Sequence, residues 1–398
     1  MITAAIICEY NPFHNGHLYQ IERIKKELSA DRIICIMSGD FVQRGEPAVL
    51  SKEIRTRMAL ECGADLVLLL PVAFATSAAD NFAHAGVSIL NRLGVVDYLC
   101  FGAECDEEET LVALSKKLPA ITPKNPDLKA LLKDGMTFAR AREALIPEAG
   151  DILDKPNNIL ALEYLCALNR LDSNIKPYII KRTGAGYNDE ELTSDGNIQS
   201  ATALRKVMAA EGVAGLKGYI PDKALEPVPA GQFLFPGDLD TPLLDALLRE
   251  DDLSLFTDVS KDLAERIKNN LSEYNGFEAF AEQLKTKNFT RARINRALLH
   301  ILLNIREDSE HLKELSDSLT YVRILGFKKD SKDILKDIKT KGSIVPVTKI
   351  PDIYDAADSV QKRMLDSELY ASTLYDRLLS LKFDIRIPQE YSKPCVMI

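Results

Sequence analysis

Two histidines, His14 and His17, lie three residues apart in the segment NPFHNGH, directly after a short apolar run that ends at residue 8. Pro12 and Gly16 allow a tight turn between that run and a following helix, and the glycine also lets the backbone approach a ligand closely. His17 then falls in the first turn of the helix, where unpaired N–H groups and the helix dipole favour anions. We therefore expect both imidazoles to point at one bound phosphate and to stabilise charge that develops on phosphorus.

Two other interpretations of this histidine pair stay open on spacing alone. A His-x-x-His pair is often no more than two capping or surface residues. A metal pair is only weakly indicated, because no third ligand lies nearby in the sequence. The position of the pair favours phosphate, since open α/β sheets bind ligands beyond the carboxyl ends of their strands.

The elements that must position this pair alternate along the first half of the chain. Short β-branched runs separated by helical periods predict βαβ units around a parallel sheet that is buried on both faces. The pattern predicts strands at 2–8, 32–37, 64–70, 96–101 and 176–182, and helices at 16–28, 52–62, 79–92, 108–117, 158–171 and from 200 onward. The N-terminal part is therefore expected to have an α/β fold.

Further along, the composition of the chain changes. A passage rich in proline and glycine predicts a linker at 216–240. Residues 1–215 are then expected to form the α/β domain that holds the candidate site. Residues 241–398, where Leu, Ile and Ala recur mainly at helical spacing, are expected to form a mainly α-helical C-terminal domain.

Charge and cysteine content limit the class of protein. The 398-residue chain has a formal net charge of −9, which argues against general adhesion to nucleic acid or anionic membranes but permits a local basic face. Its seven cysteines show no zinc-ligand spacing, so we expect reduced, buried thiols. The chain starts without a basic targeting region, and no apolar run approaches the ~18 residues that cross a bilayer. We expect a soluble, cytoplasmic protein without a membrane partner.

A second motif, SATALR at 200–205, has hydroxyl side chains at the start of a helix. Alone it indicates a capped helix. Together with HNGH it resembles the paired motifs of the HxGH nucleotidyltransferase superfamily, the relatives of class I aminoacyl-tRNA synthetases. The resemblance implies a Rossmann-like (HUP-type) nucleotidyltransferase domain with ATP as its ligand. It also implies that the hydroxyls of Ser200 and Thr202, the helix N-terminus and Arg205 hold the β- and γ-phosphates.

Further segments narrow the resemblance to one family. EYNPFHNGH, SGDFVQRGEPA, FGAE, KPNNILALEY, KRTGAGYN and SATALR together resemble the bacterial tRNA(Met) cytidine acetate ligase family, and YVRILGF and PVTKI extend the likeness towards the C-terminus. The resemblance implies a ligase that works in two steps. Acetate attacks the α-phosphate of ATP to give acetyl-adenylate and pyrophosphate. N4 of the wobble cytidine of elongator tRNA(Met) then takes the acetyl group, giving N4-acetylcytidine and AMP.

The same resemblance implies the substrates and the site residues. ATP is expected as co-substrate, together with Mg²⁺, and the expected partners are acetate and elongator tRNA(Met), with no obligate protein partner. No metal site made of protein side chains is expected. The residues expected to bind ATP are Ile7, Tyr10, Asn11, Pro12, Phe13, His14, Gly16, His17, Gln20, Gly102, Asn157, Arg182, Ser200, Thr202 and Arg205.

Carboxylates and cations near the second predicted strand are the remaining catalytic candidates. Asp40, like His14 and His17, is expected to be a catalytic residue. It would order a water, a magnesium ion or the cytosine amine. The alternative is a loop aspartate that caps a turn. Lys52 and Arg55 begin a nearby helix, where they either meet phosphate or carry solvated charge.

A local basic cluster is the leading candidate for contact with tRNA. Its members lie in KTKNFTRARINRALLH with no acidic residue between them, and such a cluster binds phosphate backbone in a salt-dependent and largely sequence-blind way. A solvated helix face is the alternative. An aromatic residue such as Phe41 or Tyr10 could stack the flipped cytosine. The residues expected to contact tRNA are Lys285, Lys287, Arg291, Arg293 and Arg296.

Two other functions remain compatible with these motifs. An adenylyltransferase acting on a small metabolite would share the fold and would stop at adenylyl transfer. A non-enzymatic tRNA-binding protein that senses nucleotide would need the basic cluster but not His14. Pyrophosphate exchange with acetate, followed by consumption of the adenylate by tRNA, separates these functions.

Overall fold

The computed structural model describes residues 1–105, 108–121, 125–134, 136, 138–146, 152–153, 155–181, 198–306 and 309–398. The strands are β1 Thr3–Cys8, β2 Arg32–Ser38, β3 Phe41–Val42, β4 Glu46–Pro47, β5 Leu66–Leu70, β6 Tyr98–Ala103, β7 Lys176–Lys181, β8 Tyr321–Phe327, β9 Val345–Val347 and β10 Val396–Met397. The helices are α1 Asn15–Glu27, α2 Lys52–Glu61, α3 Val72–Ala75, α4 Ala79–Leu93, α5 Glu108–Lys117, α6 Pro126–Lys133, α7 Phe138–Leu145, α8 Pro156–Arg170, α9 Ala201–Glu211, α10 Asp222–Leu225, α11 Asp240–Arg249, α12 Lys261–Asn270, α13 Phe277–Leu284, α14 Arg291–Leu303, α15 Ser309–Ser318, α16 Lys332–Lys341, α17 Ile350–Ala356 and α18 Ser359–Phe383.

A mostly parallel sheet in the order β10-β8-β5-β2-β1-β6-β7 forms the centre of the molecule. β1 is parallel to both β2 and β6, β2 is parallel to β5, and β6 is parallel to β7. The five strands predicted from the sequence are thus confirmed. Because the chain winds outward from β1 in both directions, a crevice opens beyond the carboxyl ends of β1 and β6, as it does at the switch point of doubly wound sheets.

The central strands are buried on both faces, which explains their unbroken apolar runs. In β1, Ala4 and Ile6 belong to the core on one side of the sheet, while Ala5 and Ile7 belong to the core on the other side. Helices α1, α2 and α9 contribute to the first core, and α4 and α8 contribute to the second. The sheet is therefore a rigid middle layer whose carboxyl edge is free to hold a site.

The C-terminal region departs from the predicted division into domains. β8 pairs antiparallel with β5, and β9 and β10 both pair with β8, so the strand at Tyr321–Phe327 extends the N-terminal sheet. Every residue of β8 is buried. Without β8, the edge of β5 would present unpaired backbone groups, which proteins generally cover. The region 241–398 is therefore not a self-contained helical domain.

The helices of the C-terminal half also share the core of the sheet. Leu243 of α11, Phe280 of α13 and Leu298 of α14 belong to the same hydrophobic cluster as Ile36 of β2. Continuous apolar burial of this kind is typical of one cooperative unit. These helices hold their position relative to the site at the edge of the sheet.

The predicted linker at 216–240 packs against the sheet domain. Leu216, Ile220 and Phe233 are buried in the core on the α1 side of the sheet. The backbone of the segment is tied down as well, since Tyr219 O accepts a hydrogen bond of 3.0 Å from the backbone N–H of Asn15. Its prolines and glycines turn the chain, while its regularly spaced apolar side chains anchor it.

Residues 339–343, KTKGS, form the end of α16 and the turn that follows, and they lie away from the histidine pair. Ser343 N donates to Arg92 O at 2.8 Å, in the last turn of α4 and shortly before β6 begins. This contact lies at the amino end of β6, whereas the histidine pair follows the carboxyl end of β1. The turn has a structural role there.

No helix in the described ranges is both long enough and apolar enough to span a membrane.

Candidate active site

A cleft opens at the carboxyl ends of β1 and β6, between the N-termini of α1 and α9. One part of its wall is apolar and aromatic, formed by Ile7, Phe82, Phe101, Leu160 and Tyr164. The other part is rich in hydrogen-bonding groups, formed by Glu9, Asn11, His14, His17, Gln20, Gln43, Arg44, Asn157, Ser200, Thr202 and Arg205. This division suits a ligand with a flat apolar end and a highly polar end.

The two histidines form a stacked pair at the start of α1. Their ring centroids lie 3.7 Å apart with an interplanar angle of 22°. His14 caps the helix, because its Nδ1 accepts from Gly16 N at 3.1 Å. His17 Nδ1 in turn accepts from His14 N at 3.2 Å. Since each Nδ1 is an acceptor, each neutral ring must carry its proton on Nε2, which makes Nε2–H a donor towards a ligand.

The surroundings of the pair fix the orientation of both rings. Tyr10 meets the His17 ring edge-on at 4.8 Å between centroids, and Phe13 lies 5.5 Å from the same ring. A Cβ on Gly16 would lie 2.9 Å from Cε1 of His14, so only glycine leaves room for this ring. The absence of a side chain at Gly16 therefore leaves the space that the His14 ring occupies. Tyr10 adopts a φ of 50°, a left-handed conformation that bulky residues rarely take and that packed sites maintain.

The N-terminus of α9 provides a second group of donors. Ser200 caps this helix by accepting from Ala203 N at 3.0 Å. Thr202 Oγ1 accepts from Arg44 Nη1 at 3.0 Å and from Arg205 Nη2 at 3.3 Å. Two guanidinium groups therefore converge on the first turn of a helix, where the dipole and the unpaired N–H groups already favour an anion.

A smaller cavity adjoins the cleft on the other side of the histidines. It shares His14, His17, Gln20 and Gly102 with the cleft, and its further lining is Gly16, Tyr19, Ile180, Lys181 and Ile198. The histidine pair and the end of β6 thus stand between two connected spaces. A ligand that fills both spaces must pass the histidine pair.

The chain matches the HIGH Nucleotidyl Transferase family model over residues 1–387. It is 37% identical to the tRNA(Met) cytidine acetate ligase of Acetivibrio thermocellus, over 94% of each chain. It is 39% identical to a protein of the same name from Caldanaerobacter subterraneus subsp. tengcongensis, over 94% of this chain and 95% of that relative. The chain belongs to the tRNA(Met) cytidine acetate ligase family.

Solved structures give the same assignment to the tRNA(Met) cytidine acetate ligase family. The chain matches the crystal structure of apo Thermotoga maritima TmcAL with a TM-score of 0.90 and 29% identity over the full length of both chains. It matches TmcAL bound with alpha-thio ATP with a TM-score of 0.87 and 28% identity, again over both full lengths. These matches confirm the predicted family and the α/β nucleotidyltransferase fold.

Most residues predicted from the resemblance to the tRNA(Met) cytidine acetate ligase family line the two cavities. Pro12 does not contribute to the lining, and Phe13 is fully buried beneath His17. Arg182 lies outside the described residues. The predicted residues that the structure brings together are Ile7, Tyr10, Asn11, His14, Gly16, His17, Gln20, Gly102, Asn157, Ser200, Thr202 and Arg205.

Some of these lining residues also hold the loops of the site together. The side-chain oxygen of Asn11 accepts from Val49 N at 2.8 Å, and its carbonyl accepts from Arg205 Nη1 at 2.9 Å. Asn157 Nδ2 donates to Glu104 Oε1 at 2.6 Å. The Asn11 contacts join the ends of β1 and α9, so the two motifs of the tRNA(Met) cytidine acetate ligase family form one structural unit.

Asp40 does not lie at the cleft, contrary to the prediction that it is catalytic. Its carboxylate pairs with Lys52 Nζ at 2.6 Å, and both side chains are only 1% exposed. It also accepts from Lys52 N at 3.0 Å, at the start of α2. The alternative role, a loop aspartate at a turn, is the one that the geometry supports.

Lys52 and Arg55 are likewise buried and do not meet the cleft. Lys52 also pairs with Glu390 at 2.9 Å, and the pKa of Lys52 is raised because these carboxylates outweigh the effect of burial, which lowers it. Arg55 is completely buried, and its guanidinium donates to backbone carbonyls of Glu9, Ser38, Gly39 and Leu50. Burial lowers the pKa of Arg55. Both cations are structural.

Of the two aromatic residues suggested for stacking a base, Tyr10 lines the cleft and Phe41 does not. Phe41 is fully buried, with its ring against Tyr375 at 6.1 Å between centroids. Tyr10 is 1% exposed, and its hydroxyl lies 3.6 Å from Cys35 Sγ. The other aromatic side chains that line the cleft, Phe82, Phe101 and Tyr164, stand in apolar surroundings that gave no distinct signal in the sequence.

Three polar residues of the cleft were not predicted from the sequence. Glu9 accepts from Gln43 N at 2.8 Å, and burial raises the pKa of the Glu9 carboxyl. Gln43 and Arg44 sit in the turn between β3 and β4 and reach the cleft from the side. The segment SGDFVQRGEPA contains both residues, and its arginine–glycine pair at a turn was the signal that could have found Arg44.

The basic cluster predicted to contact tRNA lies on and just before α14, and acidic groups from elsewhere partly neutralise it. Arg296 pairs with Asp258 at 2.8 Å, and Arg291 pairs with Glu282 at 3.1 Å. Lys285 also reaches Glu282, at 3.3 Å. Arg293 lies over the Phe289 ring at 5.2 Å, and Lys287 is exposed. Within the described parts of the chain, Lys287 and Arg293 form no ion pair with a carboxylate, although the charge of Arg293 contributes to the lowered pKa of Asp258.

Proposed function

We propose that this chain is an ATP-dependent ligase that activates acetate as acetyl-adenylate and transfers the acetyl group to N4 of the wobble cytidine of elongator tRNA(Met). The curated relatives bear the name tRNA(Met) cytidine acetate ligase at 37–39% identity, which supports this substrate. The TmcAL structure bound with alpha-thio ATP supports ATP as co-substrate. Because the proposed substrate is a tRNA, we propose that the reaction takes place in the cytoplasm.

The observation that carries the proposal is the stacked pair of histidines, whose Nε2–H groups are fixed as donors between two helix N-termini. In this proposal the α-phosphate of ATP lies against His14 and His17. The β- and γ-phosphates extend to the first turn of α9, where Ser200, Thr202 and Arg205 surround them. The adenosine then lies on the side of Gly102, the position at which β6 ends.

The first step is an in-line displacement at phosphorus. One oxygen of acetate attacks the α-phosphate, the new P–O bond forms, and the bond to the bridging oxygen breaks so that pyrophosphate leaves. Negative charge grows on the phosphoryl oxygens and on the leaving group. Donors that are already in place, such as the two Nε2–H groups, stabilise that charge without reorganising.

The second step uses the activated carbonyl group. N4 of cytidine attacks the acetyl carbon, the C–O bond to the adenylate breaks, and AMP leaves while the amine loses a proton. Acetate alone is a poor electrophile, and the adenylate provides the leaving group that it lacks. The aromatic part of the cleft, with Phe82, Phe101 and Tyr164, has the surface on which a flipped base can stack.

Mg²⁺ is proposed to accompany the triphosphate and not to occupy a protein cage. Across the described parts of the chain, no group of three or more His, Cys, Asp or Glu side chains could hold a metal ion. In the described lining of the cleft the carboxylate is that of Glu9, and Gln43 N already donates to it. Phosphate oxygens and water are the ligands that Mg²⁺ commonly uses in such sites.

Two basic residues, the exposed Lys287 before α14 and the half-buried Arg293 on it, are proposed to bind the phosphate backbone of the tRNA. Gly45, in the β3–β4 turn, lies against the backbone of Asn295 and Arg296, so α14 adjoins the turn that contributes Gln43 and Arg44 to the cleft. A tRNA bound to Lys287 and Arg293 would therefore be close to the cleft that must receive its wobble base.

The decisive experiment measures the two steps separately. Acetate-dependent exchange of labelled pyrophosphate into ATP reports adenylate formation, and mass spectrometry of nucleosides from elongator tRNA(Met) reports N4-acetylcytidine. We expect both activities in the wild-type protein. Exchange with acetate but no modified tRNA would favour the small-metabolite adenylyltransferase, and the absence of any exchange would contradict the proposed function.

A further inference from the structure

β3 and β4 form a short antiparallel hairpin beside the cleft, with Phe41 opposite Pro47 and Val42 opposite Glu46. Its tip is a three-residue turn, a type that commonly ends with a glycine in the left-handed conformation. Gly45 is that glycine, with a φ of 74°, and its N–H donates to Val42 O at 2.9 Å. The hairpin therefore has a defined shape at its tip.

One side of the tip faces the cleft. Arg44 lines the cleft, and its Nη1 donates to Thr202 Oγ1 at 3.0 Å in the first turn of α9. Arg205 donates to the same hydroxyl at 3.3 Å, so the two guanidinium groups converge. Gln43 N is held by Glu9 at the end of β1. Arg44 is thus aimed at the place where the proposed β- and γ-phosphates lie.

The other side of the tip lies flat against α14. A Cβ on Gly45 would collide with backbone atoms of Asn295 and Arg296, which cannot move aside as a flexible side chain can. Glu46 Oε1 accepts from Asn295 Nδ2 at 3.3 Å in the same contact. The distance between the hairpin and α14 is therefore set by the missing side chain at Gly45, and this distance fixes how far Arg44 reaches.

We propose that Arg44 is a further catalytic residue, which binds the β- and γ-phosphates of ATP and stabilises pyrophosphate as it leaves, and that Gly45 is its positioning residue. When the bond between the α-phosphorus and the bridging oxygen breaks, the electron pair goes to pyrophosphate. The guanidinium then faces that growing charge. The identity of the leaving group rests on the proposed function, whereas the contact with ATP does not.

Arginine suits this role better than lysine would. Its planar guanidinium forms two parallel hydrogen bonds to a phosphate and stays charged in a half-buried site. Its bond to Thr202 places the guanidinium at the first turn of α9. A lysine at this position would retain the charge but lose the paired geometry.

The first test compares Arg44→Ala and Arg44→Lys with the wild type. In acetate-dependent pyrophosphate exchange we expect Arg44→Ala to lower kcat by about 10²–10³-fold, the range for loss of one transition-state donor, with Arg44→Lys in between. Unchanged melting temperatures would show that both variants fold. Exchange by Arg44→Ala within about twofold of the wild type would overturn the proposal.

The second test examines Gly45 with a matched control. Gly45→Ala introduces both backbone strain and a collision with α14, whereas Gly231→Ala introduces strain alone, because Gly231 has a φ of 82° and open space where a Cβ would lie. We expect Gly45→Ala to lower kcat at least tenfold and Gly231→Ala to leave it unchanged. Equal effects of the two substitutions would overturn the positioning role.

A double-mutant cycle distinguishes positioning from general structural damage. If Gly45 acts through Arg44, then Gly45→Ala adds little to the loss already caused by Arg44→Ala. Multiplication of the two effects would mean that Gly45 acts by another route and would overturn this part of the proposal.

A binding measurement separates this inference from the proposed function. ATP and AMP differ by the two phosphates assigned to Arg44, so calorimetry should show ATP binding weakened about tenfold or more in Arg44→Ala, with AMP binding unchanged. This result would stand even if acetate were not the substrate. Equal weakening of ATP and AMP, or no weakening of either, would overturn the role of Arg44.

Discussion

The rings of His14 and His17 stack with centroids 3.7 Å apart, and each ring accepts a backbone N–H through its Nδ1. The helix start therefore uses the two Nδ1 atoms as acceptors, so that each neutral ring carries its proton on Nε2. The capping arrangement, which the spacing alone presented as an alternative to a phosphate site, is present, and it is compatible with the proposed phosphate role of the same pair. Each imidazole accepts a backbone N–H with one nitrogen, and the proposed function assigns the other nitrogen to the phosphate.

Replacing His17 tests this arrangement. We expect His17→Ala to lower acetate-dependent pyrophosphate exchange by about 10²–10³-fold, because one preorganised donor to the phosphate is lost. His17→Gln should recover part of the rate, since its amide N–H can occupy the place of Nε2–H. Thermal unfolding of both variants provides the control for loss of the helix cap. Unchanged exchange by His17→Ala would falsify the phosphate role.

Asp40 provides a contrasting prediction, because its carboxylate pairs with Lys52 in the interior. Asp40→Asn should destabilise the fold by about 3 kcal/mol, since it leaves a buried cation short of a partner. The exchange activity per folded molecule should remain close to that of the wild type. Urea unfolding and active-site titration measure the two quantities. A variant of normal stability with greatly reduced exchange would instead restore Asp40 to the catalytic set.

The parts of this molecule that could be predicted are those determined by residues close together in the sequence. The five parallel strands and their helices follow from periods of a few residues, and the two turns with His14, His17 and Ser200 follow from short motifs. β8 was missed as a strand of the main sheet because its partner, β5, lies roughly 250 residues away in the chain. Pairing over such a distance leaves no local pattern.

The missed and misplaced site residues have a related cause. An aspartate after a strand looks the same in sequence whether it faces a ligand or belongs to a buried ion pair. Asp40 belongs to a buried ion pair with Lys52, which also pairs with Glu390 from the far end of the chain. Arg44 was not predicted because it lies in a hairpin whose strands have only two residues each, too few to show a periodic pattern. The apolar wall of the cleft uses residue types that the core uses everywhere.

The members of the basic cluster at α14 are expected to differ in how much they contribute to tRNA binding. Lys287→Ala and Arg293→Ala should weaken tRNA binding and reduce its salt dependence, because each removes a contact with phosphate. Adenylate formation without tRNA should be unaffected. Filter binding at several salt concentrations, beside pyrophosphate exchange, measures both effects.

Arg296→Ala is the matched comparison for that experiment. Its guanidinium is largely buried and pairs with Asp258, so its removal should lower stability more than it lowers tRNA affinity corrected for folded protein. Equal effects of all three substitutions on tRNA affinity would mean that the cluster binds as a whole, including the paired arginine.

Glu368 makes the stability of the fold depend on pH. It lies on α18 in the interior, where its Oε2 accepts from Val72 N at 2.6 Å. Burial raises the pKa of this carboxyl to about 7, although the charges of Lys52 and Arg323 act to lower it. The folded chain therefore holds the proton more tightly than the unfolded chain, whose glutamates have a pKa of about 4.3.

The sign of the effect follows from this difference. The contribution of protonated Glu368 is fully present below about pH 4, is lost as pH rises from there to about 7, and stays constant above that range. Glu368→Gln removes the titration, so the free energy of unfolding of the wild type should fall relative to that of the variant by up to about 3 kcal/mol between pH 4 and pH 8. Urea unfolding of both proteins at several pH values measures this difference. Parallel curves would mean that Glu368 titrates alike in the folded and the unfolded chain.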